Sequence, residues 1–132
     1  SPIVLYAEDD ENDVFLIQRA AIKAGLPARL HIVPDGSAAV DYLEKASAST
    51  ATPRPALILL DLNMPRLSGL EVLAWIRRQP ALAGIPVVIF TSSNYEGDQN
   101  EARRLGVDAY VVKPSTPHEC IAFARSLIRF VA

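Results

Sequence analysis

The sequence predicts an α/β domain in which one five-stranded parallel sheet carries helices on both faces. Two observations lead there. Short apolar runs such as Ile3–Ala7, Leu57–Leu60 and Ile85–Phe90 show no polar alternation, the pattern of strands buried on both faces. Between consecutive runs lie segments with apolar residues at three- and four-residue steps, long enough for the crossover helices that parallel strands need. A chain of 132 residues is enough for one such domain, residues 1–132, with a core of its own.

The first run, Ile3–Ala7, ends in four acids, Glu8, Asp9, Asp10 and Glu11. Carboxylates so close repel one another unless water separates them or a cation holds some of them together. Val14, Leu16, Ile17, Ala20, Ala21 and Ala24 then mark the apolar face of a helix that Gly25 and Pro27 stop. Arg29–Val33 forms a second strand, closed by Pro34-Asp35-Gly36. The next helix runs through Ala38, Ala39, Val40, Tyr42 and Leu43 and is expected to end near Ala46. Residues 47–55 are small, polar and proline-bearing, and read as an exposed loop.

The aliphatic run Leu57–Leu60 stops at Asp61, and Pro65 ends the segment. An ionised carboxylate at the carboxyl end of a buried strand is costly unless it is paired or binds a metal. It also stands where open α/β sheets place their chemistry. After the turn Arg66-Leu67-Ser68-Gly69, a helix carries Leu70, Val72, Leu73 and Ile76 until Pro80. Ile85–Phe90 is the fourth strand, ending in Thr91-Ser92-Ser93, and a polar helix follows from about Tyr95 to Leu105, with Gly106 as its stop. Val107–Val112 is the last strand, ended by Lys113-Pro114. The final helix takes Thr116 as N-cap and Pro117 as its first residue, and runs to near the chain terminus.

Half of the residues are hydrophobic, 21% are charged and the net charge is −2, so nothing marks a surface for nucleic acid or an anionic membrane. No apolar run reaches the length of a membrane span. Ser1–Val4 reads as a strand entrance rather than a signal peptide. A single cysteine, Cys120, leaves no internal disulfide and no cysteine-based zinc site, and fits a cytoplasmic protein.

Four of the five strands end in groups able to handle phosphate or metal: Glu8 with Asp9, Asp61, Thr91 and Lys113. Carboxylates and a backbone carbonyl suit a hard ion such as Mg²⁺. One carboxylate can act as nucleophile toward a phosphoryl group and form an aspartyl phosphate. A lysine and a hydroxyl can steady the transferring oxygens. No His/Ser or His/Cys pairing suggests a hydrolytic triad, since His31 falls in a strand and His118 at a helix start. A phosphate-binding glycine loop is absent too.

The landmarks Ala7-Glu8-Asp9, Asp61-Leu62-Asn63-Met64-Pro65 with Gly69, Phe90-Thr91-Ser92 and Asp108-Ala109-Tyr110-Val111-Val112-Lys113-Pro114 follow in this order along the chain. Together they make the sequence resemble the receiver domains of two-component response regulators, the CheY-like family. The resemblance implies a flavodoxin-like, doubly wound sheet with strand order 2-1-3-4-5. It implies a phosphoacceptor signalling protein rather than an enzyme, beyond self-catalysed aspartyl phosphorylation and dephosphorylation. A sensor histidine kinase would pass a phosphoryl group to Asp61, with Mg²⁺ as cofactor. On that pattern Asp9 is the direct Mg²⁺ ligand, Glu8 acts through water and Asn63 lends its backbone carbonyl. Thr91 is the switch hydroxyl, Lys113 pairs with the phosphoryl group, and Tyr110 is the aromatic that changes rotamer. The Lys113-Pro114 bond is expected to be cis.

The acidic run leaves a second register open, with Asp9-Asp10 as the pair; the position of Gly25 at the end of the first helix favours Glu8-Asp9. Plainer roles also stand beside these. Thr91 could bond locally to backbone, Lys113 could be a surface lysine and Tyr110 a core aromatic. The run Ala7–Val14 and the loop with Pro53-Arg54-Pro55 further resemble the single-domain regulators that partner phytochrome-type histidine kinases. The receiver would then occupy the whole chain and leave no output domain. Phosphorylation would shift the face formed by the last two helices and the last strand.

Two rivals carry less. A phosphorylation-independent scaffold need not keep all of Glu8, Asp9, Asp61, Thr91 and Lys113. A haloacid dehalogenase-type phosphatase wants a second aspartate where Asn63 stands. In the final helix, Cys120, Ala124, Leu127 and Val131 make a stripe for the sheet, flanked by Phe123 and Phe130 on one side and Ile121 and Ile128 on the other. So wide an apolar face predicts a partner surface at Ile121, Phe123, Ile128 and Phe130. A two-fold homodimer through this helix, the last strand and the neighbouring helix is the expected form. The alternative is that both flanks tuck under neighbouring elements.

Overall fold

The computed structural model describes residues 1–132. In chain order the elements are β1 (Ile3–Ala7), α1 (Glu11–Ala24), β2 (Arg29–Val33), α2 (Gly36–Ala48), β3 (Leu57–Leu60), α3 (Gly69–Arg77), β4 (Val87–Thr91), α4 (Glu96–Arg104), β5 (Ala109–Val112), α5 (Pro117–Ser126) and α6 (Ile128–Val131). The strands pair in parallel as one sheet in the order β2-β1-β3-β4-β5. This is the doubly wound, flavodoxin-like arrangement, with its switch point between β1 and β3.

Every residue of β1, β3 and β4 is buried, which is why their sequences show no alternation. Alternation exists all the same, in which core layer each side chain enters. Leu5, Ala7, Ile58, Leu60, Val87 and Ile89 face one layer, where α2, α3 and α4 contribute Ala39, Leu43, Val72, Leu73, Ile76 and Ala102. Val4, Tyr6, Leu57, Leu59, Val88 and Phe90 face the other, where Ile17, Phe123, Leu127 and Val131 close over them. The period of two along each strand thus sorts the apolar residues between two cores. The edge strand β2 exposes Arg29 and His31 and half-buries Leu30 and Ile32.

Several element ends differ from the sequence expectation. Helix α2 continues to Ala48, because Ser47 Oγ bonds back to the Leu43 carbonyl (2.9 Å) and the Ser49 N–H closes onto Lys45 (3.0 Å). The loop therefore starts at Ser49, and the Tyr42 hydroxyl ties it to α2 through the Pro53 carbonyl (2.7 Å). Helix α3 stops at Arg77, short of Pro80, and the Arg77 guanidinium donates to the carbonyls of Leu105 (3.1 Å) and Gly106 (2.8 Å). Strand β5 starts at Ala109 rather than Val107, since the Asp108 carboxylate itself accepts the Val87 N–H (2.7 Å). Gly25 ends α1 at φ 69°, a left-handed conformation that favours glycine.

Three expectations are corrected. No peptide bond is cis, so Lys113-Pro114 is trans, the form favoured by about 0.5–1 kcal/mol before proline. The final helix is not one continuous cylinder but breaks at Leu127 into α5 and the single turn α6. Phe123 is not on a partner surface: it is 7% exposed and stacks on Phe90, with ring centroids 4.3 Å apart. Sheet packing wraps further around α5 than its apolar stripe implied. Ile121 leans on the Ala20–Cys120–Ala124 cluster, Phe130 packs half-buried beneath the Arg129 guanidinium, and Ile128 is half-buried. No helix is long and apolar enough to cross a membrane.

Candidate functional site

Sheet register brings the polar strand ends together. Ala7 pairs with Leu60, so Glu8, Asp9 and Asp61 leave the sheet side by side; Thr91 pairs with Val112, which places Lys113 next to it. Backbone bonds run one residue past the strands. The N–H of Glu8 donates to Val33 (3.0 Å), that of Asp61 to Ala7 (3.2 Å) and that of Lys113 to Thr91 (2.7 Å). Three site residues are thereby held by the ladder itself.

Asp61 is 3% exposed. Its Oδ1 accepts the Asn63 N–H (3.1 Å) and its Oδ2 accepts from Lys113 Nζ (2.9 Å). Behind it, the start of α3 approaches so closely that a Cβ on Gly69 would sit 2.9 Å from both the Asp61 carbonyl carbon and Leu62 Cα. Only glycine lets helix and strand end meet there. Glu8 is buried as well. Its Oε1 takes the Tyr6 hydroxyl (3.1 Å) and Lys113 Nζ (2.9 Å), and its Oε2 takes the Asp10 N–H (3.3 Å). Asp9 is exposed at the rim, and oxygens of Glu8, Asp9 and Asp61 all lie within 4.8 Å of one another. Asp10 is committed elsewhere as the N-cap of α1, accepting from Asn12 (2.8 Å) and Asp13 (3.3 Å). Glu8 and Asp9, not Asp10, are thus the acids that cluster with Asp61.

Lys113 Nζ touches three carboxylates: Asp13 (2.6 Å), Asp61 (2.9 Å) and Glu8 (2.9 Å). Glu8 and Asp61 are among the site residues that the sequence singles out; Asp13 is not. In the sequence Asp13 follows the N-cap by three residues, a spacing that reads as a capping contact rather than a long-range one. Tyr6 was also missed, although a buried tyrosine hydroxyl calls for a partner and finds it in Glu8. Thr91 is fully buried, with Oγ1 accepting the Ser93 N–H (3.4 Å). Tyr110 is half-buried and donates to the Ser93 carbonyl (2.9 Å). Both residues expected to switch are therefore fastened to Ser93, just after β4.

Burial pushes the Glu8 carboxyl up to about 7, helped by the neighbouring Asp61 and opposed by Lys113. Burial also acts upward on Asp61, but bonds from Lys113, Glu8, Thr91 and the Asn63 N–H outweigh it and hold Asp61 below its ordinary value. Lys113 is raised: burial opposes its charge, and Asp13, Asp61 and Glu8 more than restore it. The site thus sets a buried carboxylate held toward its ionised form against an ammonium held toward its charged form. Its oxygen-only donors, with no soft ligand among them, fit a hard divalent cation.

The chain matches the family model of the response regulator receiver domain over residues 4–125. It is 40% identical to the response regulator Rcp1 of Synechocystis sp. over 111 residues, covering 84% of this chain and 76% of Rcp1. The crystal structure of the Mn²⁺-bound form of Rcp1 superposes with a TM-score of 0.87 at 34% identity, over 99% of this chain and 94% of that one. The phosphorylated cyanobacterial phytochrome response regulator RcpA superposes with a TM-score of 0.88 at 34% identity, over 98% of this chain and 92% of that one.

Proposed function

The chain belongs to the response regulator receiver domain family of two-component signalling, and from that premise we propose that residues 1–132 act as the receiver unit and Asp61 is its phosphoacceptor. The observation that carries this is the state of Asp61: buried, ionised, and pinned between the Asn63 N–H and Lys113. A phosphohistidine of a histidine kinase donates the group. The P–N bond breaks, an Asp61 Oδ–P bond forms, and the imidazole nitrogen leaves with the electron pair. Asp9, Asp61 and the Asn63 carbonyl, with Glu8 acting through water, would hold Mg²⁺, which when bound would supply positive charge to offset that of the transferring oxygens. Lys113 swings one N–H from Asp61 to a phosphoryl oxygen. Thr91 follows, and because Thr91 and Tyr110 share Ser93, the rearrangement reaches β5 and the neighbouring helices. Water hydrolyses the acyl phosphate and resets the protein. Likeness to RcpA, a phytochrome response regulator, supports a phytochrome-type kinase as the donor.

Acetyl phosphate with Mg²⁺ should add a single phosphate by intact mass, and Asp61→Asn should abolish the adduct. Stoichiometric labelling of the Asp61→Asn protein would remove Asp61 from this role.

A further inference from the structure

We propose that Asp13 is a positioning residue for phosphoryl transfer, holding the Lys113 ammonium where the incoming phosphoryl group needs it. This rests on the reading of Asp61 as acceptor. The contact joins the first turn of α1 to the end of β5, 100 positions apart in sequence, and at 2.6 Å it is the shortest that Lys113 makes. An acid three residues after an N-cap ordinarily reaches back to the cap's own N–H. Here that donor, the Asp10 N–H, is already taken by Glu8 Oε2. Asp13 is thereby free to turn away from its own helix toward Lys113.

An ammonium has three protons, and Lys113 has three carboxylate partners, Asp13, Asp61 and Glu8. When Asp61 becomes an acyl phosphate it loses its charge, and the proton directed at it is the one released to a phosphoryl oxygen. The other two contacts keep Nζ in place. Of these, Glu8 is shared with the Tyr6 hydroxyl at the same oxygen, whereas Asp13 Oδ2 serves Lys113 alone among side chains. Asp13 is itself about a third exposed, so solvent screens its repulsion of an arriving phosphate more than it weakens a direct contact.

The test is a double-mutant cycle on Asp13 and Lys113 in the full chain. Two readouts serve: the rate of acetyl phosphate labelling by intact mass at saturating Mg²⁺, and the affinity for the phosphoryl mimic beryllofluoride by ¹⁹F NMR. Asp13→Ala should slow labelling and weaken beryllofluoride about tenfold, the usual weight of a hydrogen bond to a charged group. Asp13→Asn, which keeps the shape of the helix's first turn, should fall between it and wild type. It carries the test should Asp13→Ala fail to fold. The Mg²⁺ concentration at half-saturation should stay within about twofold of wild type, because Asp13 acts through Lys113. In a Lys113→Ala background, Asp13→Ala should add no further loss in either readout. Wild-type values for the single variants, or an undiminished loss without Lys113, would overturn the assignment. Labelling that survives Asp61→Asn would instead overturn the acceptor reading beneath it, so the two failures are distinguishable.

Discussion

At Glu8 and Asp61 the same pocket drives two carboxyls in opposite directions. Glu8 rises from an ordinary 4.5 to about 7, while Asp61 stays below its ordinary value. Folded protein therefore holds a proton on Glu8 that the unfolded chain releases between those two values, and this group's contribution to stability falls as pH rises from 4.5 to 7. Asp61 works the other way. Its contribution is present above its ordinary value and is lost as pH falls through its lower folded one. Without divalent ions, Glu8→Gln should flatten the stability profile between pH 5 and 8. At pH 8 it should gain on the order of 1–3 kcal/mol over wild type, by the linkage of a shift this size. Urea midpoints across that range read it directly; parallel profiles for variant and wild type would mean that Glu8 is not the group responsible. The identity of this acid was readable from its place after a strand, but its protonation was not, because burial at 2% is a property of neighbours.

Among elements, the buried strands were the most legible and the last helix the least. An unbroken apolar run at the right length admits few other readings, and β1, β2 and β3 fall where the sequence put them. In α5 the apolar stripe does face the sheet, but Phe123, which the sequence places on a partner surface, is covered by the sheet and the Phe90 ring, while Ile121, Ile128 and Phe130 are half-buried. Periodicity reports how much of a helix is apolar and says nothing of how far neighbours curl around it. The homodimer expected through this helix loses Phe123 as its anchor. Phe123→Ala should accordingly destabilise the protein by about 3–5 kcal/mol, as core phenylalanine truncations do. Phe130→Ala, at a half-buried position, should cost clearly less. Equal and small losses in thermal or urea unfolding would return Phe123 to the surface.

Across the whole molecule, the site exists because four strand ends and one helix start converge within hydrogen-bonding reach. Gly69 is the point where α3 meets the end of β3, and a methyl group there would press on the Asp61 carbonyl carbon and Leu62 Cα at 2.9 Å. Gly69→Ala should cost about 1–3 kcal/mol as overpacking and slow acetyl phosphate labelling of Asp61 without changing any site side chain. Wild-type labelling in a folded Gly69→Ala protein would show that the backbone there can give. The sequence by itself determined the parallel α/β class and the residue types at the strand ends, because buried strands, turn residues and caps are local patterns. Through its ordered landmarks it also determined the family. Only the tertiary structure decided that Asp10 caps a helix while Asp9 faces Asp61, that Asp13 reaches Lys113, and that Phe123 lies inside. Those outcomes turn on which surfaces meet across long separations, and on how many contacts a single ammonium or ring can make at once. Composition and spacing along a chain hold no record of either.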